Sequence, residues 1–210
     1  YAEQQLLSFR YEGKRLVTSS QVNHFSQKRQ KKKEKGPFIL CIDTSGSMYG
    51  LPSQIAKVIC FAIMKMAAKE QRKCYLISFS IGIQTINLLD MANSMDKIVD
   101  FLTMSFDGGT DVSPALSEAL DMLQTNEYRE GDVLMISDFV MFEIREAILK
   151  RIKREQQNET QFHSLTIGAR ANPEVLEHFD NCWIYDPDNR EVTRQLVEDL
   201  QSLSSHEYVK

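Results

Sequence analysis

Apolar residues in this chain fall into short unbroken runs that alternate with longer helical stripes. Phe38-Ile39-Leu40-Cys41-Ile42 is one such run, and it reads as a buried parallel strand. A helical pattern follows from about Leu51 to Glu70. Its segment from Ile55 to Ala68 is apolar nearly all round, broken only by Lys57 and Lys65, which predicts a helix buried on most sides. Lys73 to Phe79 predicts a second strand, and the more polar Gln84 to Leu88 a short one at an edge. Ser94 to Met104 predicts a helix with Met95, Ile98, Val99 and Leu102 on one face. Ser113-Pro114 reads as an N-cap followed by proline at the first helical position, and the helix runs on through Leu116, Ala119, Leu120 and Leu123. Asp132 to Ser137 is a further buried strand and ends at Asp138. Glu143 to Gln156 is helical, Phe162 to Ile167 and Cys182 to Tyr185 are strands, and Glu191 to Leu203 is a last helix.

This alternation predicts an α/β fold with a mostly parallel central sheet, one antiparallel edge strand and helices on both faces. Ahead of it, Leu7, Phe9 and Tyr11 alternate up to Gly13, and Leu16 and Val17 follow. That pattern predicts a small hairpin, too short to be stable alone. Residues 21–36 are polar and basic, and Gly36-Pro37 punctuates the boundary. The expected division is a hairpin and basic linker over 1–35, a main domain over 36–205 and a tail over 206–210. The start at Tyr1 rather than Met points to a piece of a longer protein.

Composition changes the picture in two places. The net charge is −4. Six basic residues and one Glu crowd into 28–35, so the rest of the chain carries −9. A run like that can touch nucleic acid or acidic lipid. With no aromatic residue interleaved, a solvated linker is the simpler reading, and peripheral membrane contact through it stays open. Cys41, Cys60, Cys74 and Cys182 form no CxxC pair, which argues against a zinc site. They read as small core residues kept reduced, as in a cytoplasm. The longest wholly apolar run, Val58 to Met64, is too short to span a bilayer.

The candidate chemistry sits where strands end. Asp43-Thr44-Ser45-Gly46-Ser47 follows the first buried strand, so a carboxylate and two serine hydroxyls gather where a helix is about to begin. In an open α/β sheet, ligands bind in the crevice at that carboxyl edge. An all-oxygen donor set suits a hard cation such as magnesium. Thr110 follows Gly108-Gly109, and Asp138 follows the Asp132–Ser137 strand. Taken singly, each serine or threonine is more simply a helix or turn cap. Asp111 reads as a cap or loop brace, and the role of Asp107 stays open.

The set Asp43-x-Ser45-x-Ser47, then Thr110, then Asp138, resembles the metal-ion-dependent adhesion site of von Willebrand factor A domains. The likeness covers roughly Gly36 to Leu203. It implies a Rossmann-like three-layer fold, with Ser45 and Ser47 as direct magnesium ligands. Thr110 would ligate in the partner-bound state, and Asp43 and Asp138 directly or through water. Manganese or calcium could substitute. The family usually completes the shell with a partner's Asp or Glu. Many members carry Gly after the last Asp; here Phe139-Val140-Met141-Phe142 follows. These apolar residues either pack under the next helix or form a sticky rim. Met48, Tyr49, Phe139, Met141 and Phe142 are therefore candidate partner contacts. CIDTSGSM (41–48), FAIMKMAAKE (61–70), RKCYLISFS (72–80), FDGGTDV (106–112) and ISDF are similar to the members that work with a MoxR-type AAA+ ATPase of the RavA kind. That likeness implies a cytoplasmic, chaperone-like interaction module with an unidentified client, and a helical domain upstream.

Two alternatives compete. A haloacid-dehalogenase-like magnesium phosphatase also places Asp after its first strand, but it needs a second acid where Ser45 stands. An adhesion-type domain shares the metal motif, and the reduced-looking cysteines argue against it. A serine hydrolase elbow and a phosphate loop are both missing from the sequence, so no catalytic residue is expected.

Overall fold

The computed structural model describes Phe9–Glu12, Arg15–Thr18 and residues 36–88, 94–103, 107–141, 143–168 and 171–185. Eight strands are found there. β1 (Phe9–Glu12) and β2 (Arg15–Thr18) form an antiparallel hairpin. The main sheet holds β3 (Phe38–Asp43), β4 (Cys74–Phe79), β5 (Ile83–Asn87), β6 (Asp132–Ser137), β7 (Phe162–Ile167) and β8 (Asn181–Tyr185). Their order is β5-β4-β3-β6-β7-β8. Only β4 and β5 pair antiparallel. The mostly parallel sheet with one antiparallel edge strand is therefore as predicted.

The burial pattern follows from position in the sheet. β3, β4 and β7 are buried at every residue, as strands covered on both faces must be. β5 is exposed at four of five positions, and its polar residues suit an edge. Successive side chains point to opposite faces, so each strand feeds two cores. Ile39 and Cys41 join Ile77, Val133, Met135 and Phe162 under α3 (Ser113–Met122) and α4 (Glu146–Gln157). Phe38, Leu40 and Ile42 join Leu76, Ile136 and Leu165 under α1 (Leu51–Lys69) and α2 (Met95–Thr103). A short helix, α5 (Pro173–Leu176), adds Val175 and Leu176 to the first core.

Three sequence expectations are corrected. α1 is not buried on most sides: Ala56, Cys60, Ile63, Met64 and Ala67 face the sheet, while Leu51, Val58 and Phe61 are exposed. By length and composition α1 could cross a membrane, but it links neighbouring parallel strands and packs on their sheet. Among the described side chains of α2, Ile98 and Phe101 are buried and Val99 is half exposed. α4 begins at Glu146, three residues later than expected. The predicted helix over Glu191–Leu203 and the basic run over 28–35 lie outside the described residues.

The chain leaves β3 toward β4 and β5, then returns to the other side of β3 at β6. The crossovers diverge between β3 and β6. At such a switch point the carboxyl edge opens into a crevice.

Candidate metal centre

Asp43 is the last residue of β3 and is fully buried. Its Oδ1 accepts from Ser45 N at 2.9 Å, and its Oδ2 accepts from Ser137 Oγ at 2.5 Å. Ser137 ends β6, and the β3–β6 register that sets Ile42 opposite Ile136 brings it beside Asp43. Ser137 Oγ in turn accepts from Phe139 N at 2.9 Å. One hydroxyl thus ties the end of β3 to the loop that carries Asp138. Sequence reasoning missed Ser137; the one signal was its place at the end of a predicted buried strand, directly before Asp138.

Burial pushes the Asp43 carboxyl above the usual aspartate range. The hydrogen bonds from Ser137 and Ser45 pull it back, and the nearby Asp138 adds to the rise. Among the described residues, no Lys, Arg or His forms an ion pair with Asp43.

Ser45 stands at the N-cap of a one-turn 3-10 helix, Gly46–Met48, yet its hydroxyl makes no capping bond. Instead Ser45 Oγ lies 3.1 Å from Ser47 Oγ. Adjacent ligands of an octahedral magnesium ion, each about 2.1 Å from it, stand about 3 Å apart. The two hydroxyls therefore already have the spacing of neighbouring ligands. Thr44 anchors this turn to β4, donating its N–H and its hydroxyl to Phe79 O at 2.7 Å and 2.9 Å.

The Thr110 loop is held against the same turn. Gly46 N donates to Gly108 O at 2.9 Å, and Asp111 N donates to Ser80 O at 2.9 Å. Gly108 has φ +83°, a backbone region that side chains rarely tolerate. Thr110 itself is half-buried. Asp111 Oδ1 accepts from Ser113 N at 2.9 Å and braces the entry to α3, whose N-cap position is Val112 rather than Ser113. Asp138 is buried, and its Oδ1 accepts from Val140 N at 3.0 Å. Asp107 is exposed.

Three loops thus bring Asp43, Ser45, Ser47, Thr110 and Asp138 to one edge. Among the described residues no three Asp, Glu, His or Cys side chains gather as a cage. The site's oxygen donors are largely hydroxyls. Such a set leaves a divalent charge only partly offset and fits a hard cation that takes a further anionic oxygen.

The apolar rim is redrawn. Met48 and Phe139 are fully buried and belong to opposite cores. Phe139 packs edge-on against Phe179 with ring centroids 5.7 Å apart, and its φ is +53°. Met141 is half-buried against that core, and Phe142 lies outside the described residues. Tyr49 is 76% exposed.

The family model described as "von Willebrand factor type A domain" matches residues 38–140. Regulatory protein ViaA of Proteus mirabilis (strain HI4320) is 35% identical over 189 residues, which cover 88% of this chain and 38% of that protein. The chain thus spans well under half the length of this relative. Among solved structures, the SpRpn10 VWA domain matches with a TM-score of 0.59 and 17% identity, covering 84% of this chain and all of that one. A von Willebrand factor type A protein from Catenulispora acidiphila matches with a TM-score of 0.58 and 15% identity, over 82% of this chain and 42% of that one. Proximal thread matrix protein 1 of the mussel byssus, with a zinc-occupied MIDAS motif, matches with a TM-score of 0.60 and 14% identity, over 81% and 49%. At these identities the structural likeness speaks for the fold alone.

Proposed function

The chain carries a von Willebrand factor type A domain, and on that premise we propose that it is a magnesium-dependent protein-interaction module rather than an enzyme. Ser45, Ser47 and Thr110 would hold the ion, with Asp43 and Asp138 acting directly or through water. A partner's Asp or Glu would complete the shell. The observation that carries this reading is the hydrogen-bonded pair of serine hydroxyls 3.1 Å apart, with Ser45 at an N-cap position yet making no capping bond. Manganese and calcium are expected substitutes. The byssus protein holds zinc at its motif, so zinc belongs beside magnesium in any titration.

The partner we propose is a MoxR-type AAA+ ATPase of the RavA kind, with this chain as the substrate-linking or assembly component of the pair. The likeness to a protein named Regulatory protein ViaA supports it. The cysteines at 41, 60, 74 and 182 are buried thiols outside any disulfide, which suits a reducing cytoplasm. Burial raises the thiol of Cys74 to about 12, which leaves it inert.

The test is calorimetry of wild type and Thr110→Ala against the ATPase, with and without magnesium, and circular dichroism to confirm folding. Thr110→Ala is expected to fold and to weaken binding by about 2 kcal/mol or more, as loss of an interface anchor does. Unchanged affinity in that variant, or equal affinity after chelation, would sink the reading. ATP or phosphate-ester turnover that survives repurification and vanishes in Asp43→Asn would instead favour a phosphatase.

A further inference from the structure

Exposed apolar residues are ordinary when scattered. Here several of them sit on or against the loops that carry the site, while Val58, Phe61, Ile83, Val99 and Ile184 lie elsewhere. Tyr49 closes the turn that holds Ser47, donating its N–H to Gly46 O, and Leu51 opens α1 just beyond it. Ile81 lies over the loop before Thr110: a β-carbon on Gly108 would stand 3.5 Å from Ile81 Cδ1, and one on Gly109 3.8 Å from Ile81 Cγ1. Val140 donates its N–H to Asp138. These four side chains are exposed by 76%, 57%, 73% and 49% respectively. Two of the ligand-bearing loops therefore carry an exposed apolar group of their own, and the third, the Thr110 loop, has Ile81 of the neighbouring β4–β5 turn laid against it.

We propose that Tyr49, Leu51, Ile81 and Val140 form an apolar collar, and that it selects a protein segment whose metal-seeking carboxylate is flanked by apolar side chains. The proposal rests on the metal reading above and adds to it the partner's local sequence. Charge separates this occupant from a membrane. The loops 43–52, 80–82, 107–112 and 138–141 contain four aspartates and no Lys or Arg, and one of the four, Asp111, pairs with Arg145 just ahead of α4 at 3.4 Å. Membrane-seating surfaces rely on clusters of basic residues to meet anionic lipid, and these loops supply none. The ion attracts a carboxylate whatever flanks it, so selection among acids falls to the flanks. Apolar flanks that leave water against the collar add an attraction of their own. A serine- or glycine-flanked acid lacks that attraction.

The probes are two short synthetic peptides with one central aspartate, one flanked by leucine and phenylalanine and the other by serine and glycine. A third peptide carries asparagine in place of aspartate between the apolar flanks. Each is titrated into the 210-residue chain with magnesium. The apolar-flanked acid is expected to bind about tenfold or more tightly than the serine-flanked one. The double variant Ile81→Ser/Val140→Ser, which spares every proposed ligand, is expected to erase that preference while its magnesium affinity stays at the wild-type value. Equal binding of both acidic peptides to wild type overturns the collar and leaves the metal reading standing. Binding of the asparagine peptide as tight as its parent, or no magnesium-dependent binding at all, overturns the metal reading itself. Phosphatidylserine vesicles form the last arm: sedimentation with wild type but not with the double variant overturns the proposal in favour of a membrane.

Discussion

The two ends of β3 each bury a charge, and they treat it in opposite ways. At the amino end the Arg72 guanidinium lies 3.5 Å from the Phe38 ring centroid. Its Nε donates to Gly36 O at 2.6 Å, and Glu70 stands 3.7 Å from Nη1. Burial lowers its pKa, and the acids Asp132 and Glu70 push it back up. The backbone there is equally closed: a β-carbon on Gly36 would meet Glu130 O at 2.3 Å. At the carboxyl end Asp43 is just as buried but is served by a hydroxyl and a backbone N–H, with no cation among the described residues. One end is finished by the chain itself. The other, on the reading proposed above, is completed by a cation.

The sharpest break in this contrast is Phe139→Ser. Phe139 adjoins the site but belongs to the core, so its loss is expected to cost about 3–5 kcal/mol in urea unfolding, with or without magnesium. A variant of wild-type stability would return Phe139 to the rim. Next in size is Asp43→Ala. With magnesium a hundredfold above its dissociation constant, wild type should gain about 2.7 kcal/mol and the variant nothing. An identical magnesium-induced shift in both melting temperatures would make the two ends of β3 alike. Arg72→Ala is expected to cost about 2 kcal/mol through its lost ring contact and hydrogen bond, equally in magnesium and in chelator. A magnesium-dependent cost there would erase the distinction from the other side.

The smallest effect is in pH. The folded Asp43 carboxyl titrates above its unfolded value, so without metal its contribution to stability is full below the ordinary aspartate range. It is lost as pH rises through the raised folded value. Magnesium favours the ionised form, so the gap between metal-bound and metal-free melting curves should widen over the same rise. Melts of wild type and Asp43→Asn across roughly pH 4 to 7 read this directly. A gap in wild type that stays constant with pH would show that Asp43 does not sense the ion.

Much of this was legible in the sequence, because period and punctuation carry it. The unbroken run before Asp43 fixed β3 as a central strand, and the edge place of β5 followed from its polarity. What escaped depended on partners distant in the chain. Ile55 to Ala68 looked buried because apolarity alone does not say which side of a helix meets the sheet, and Val58 and Phe61 turned out to face solvent. Phe139 follows the last Asp where glycine is common, and only the tertiary contact with Phe179 shows that it turns inward at positive φ. Ser137 was hidden for the same reason: its role exists only once β6 lies in register against β3.

That hydrogen bond, from Ser137 to Asp43, spans 94 residues of sequence. Closing so long a loop is entropically slow, and parallel pairings of this kind come late in folding. During synthesis, the first buried strand emerges long before the residue that steadies its carboxylate. A nascent or truncated chain that ends before β6 would have Ser45 and Ser47 but not the braced Asp43 beside them. On the proposed reading, a chain that stops before β6 would lack the braced carboxylate, and metal-dependent docking would require the completed sheet.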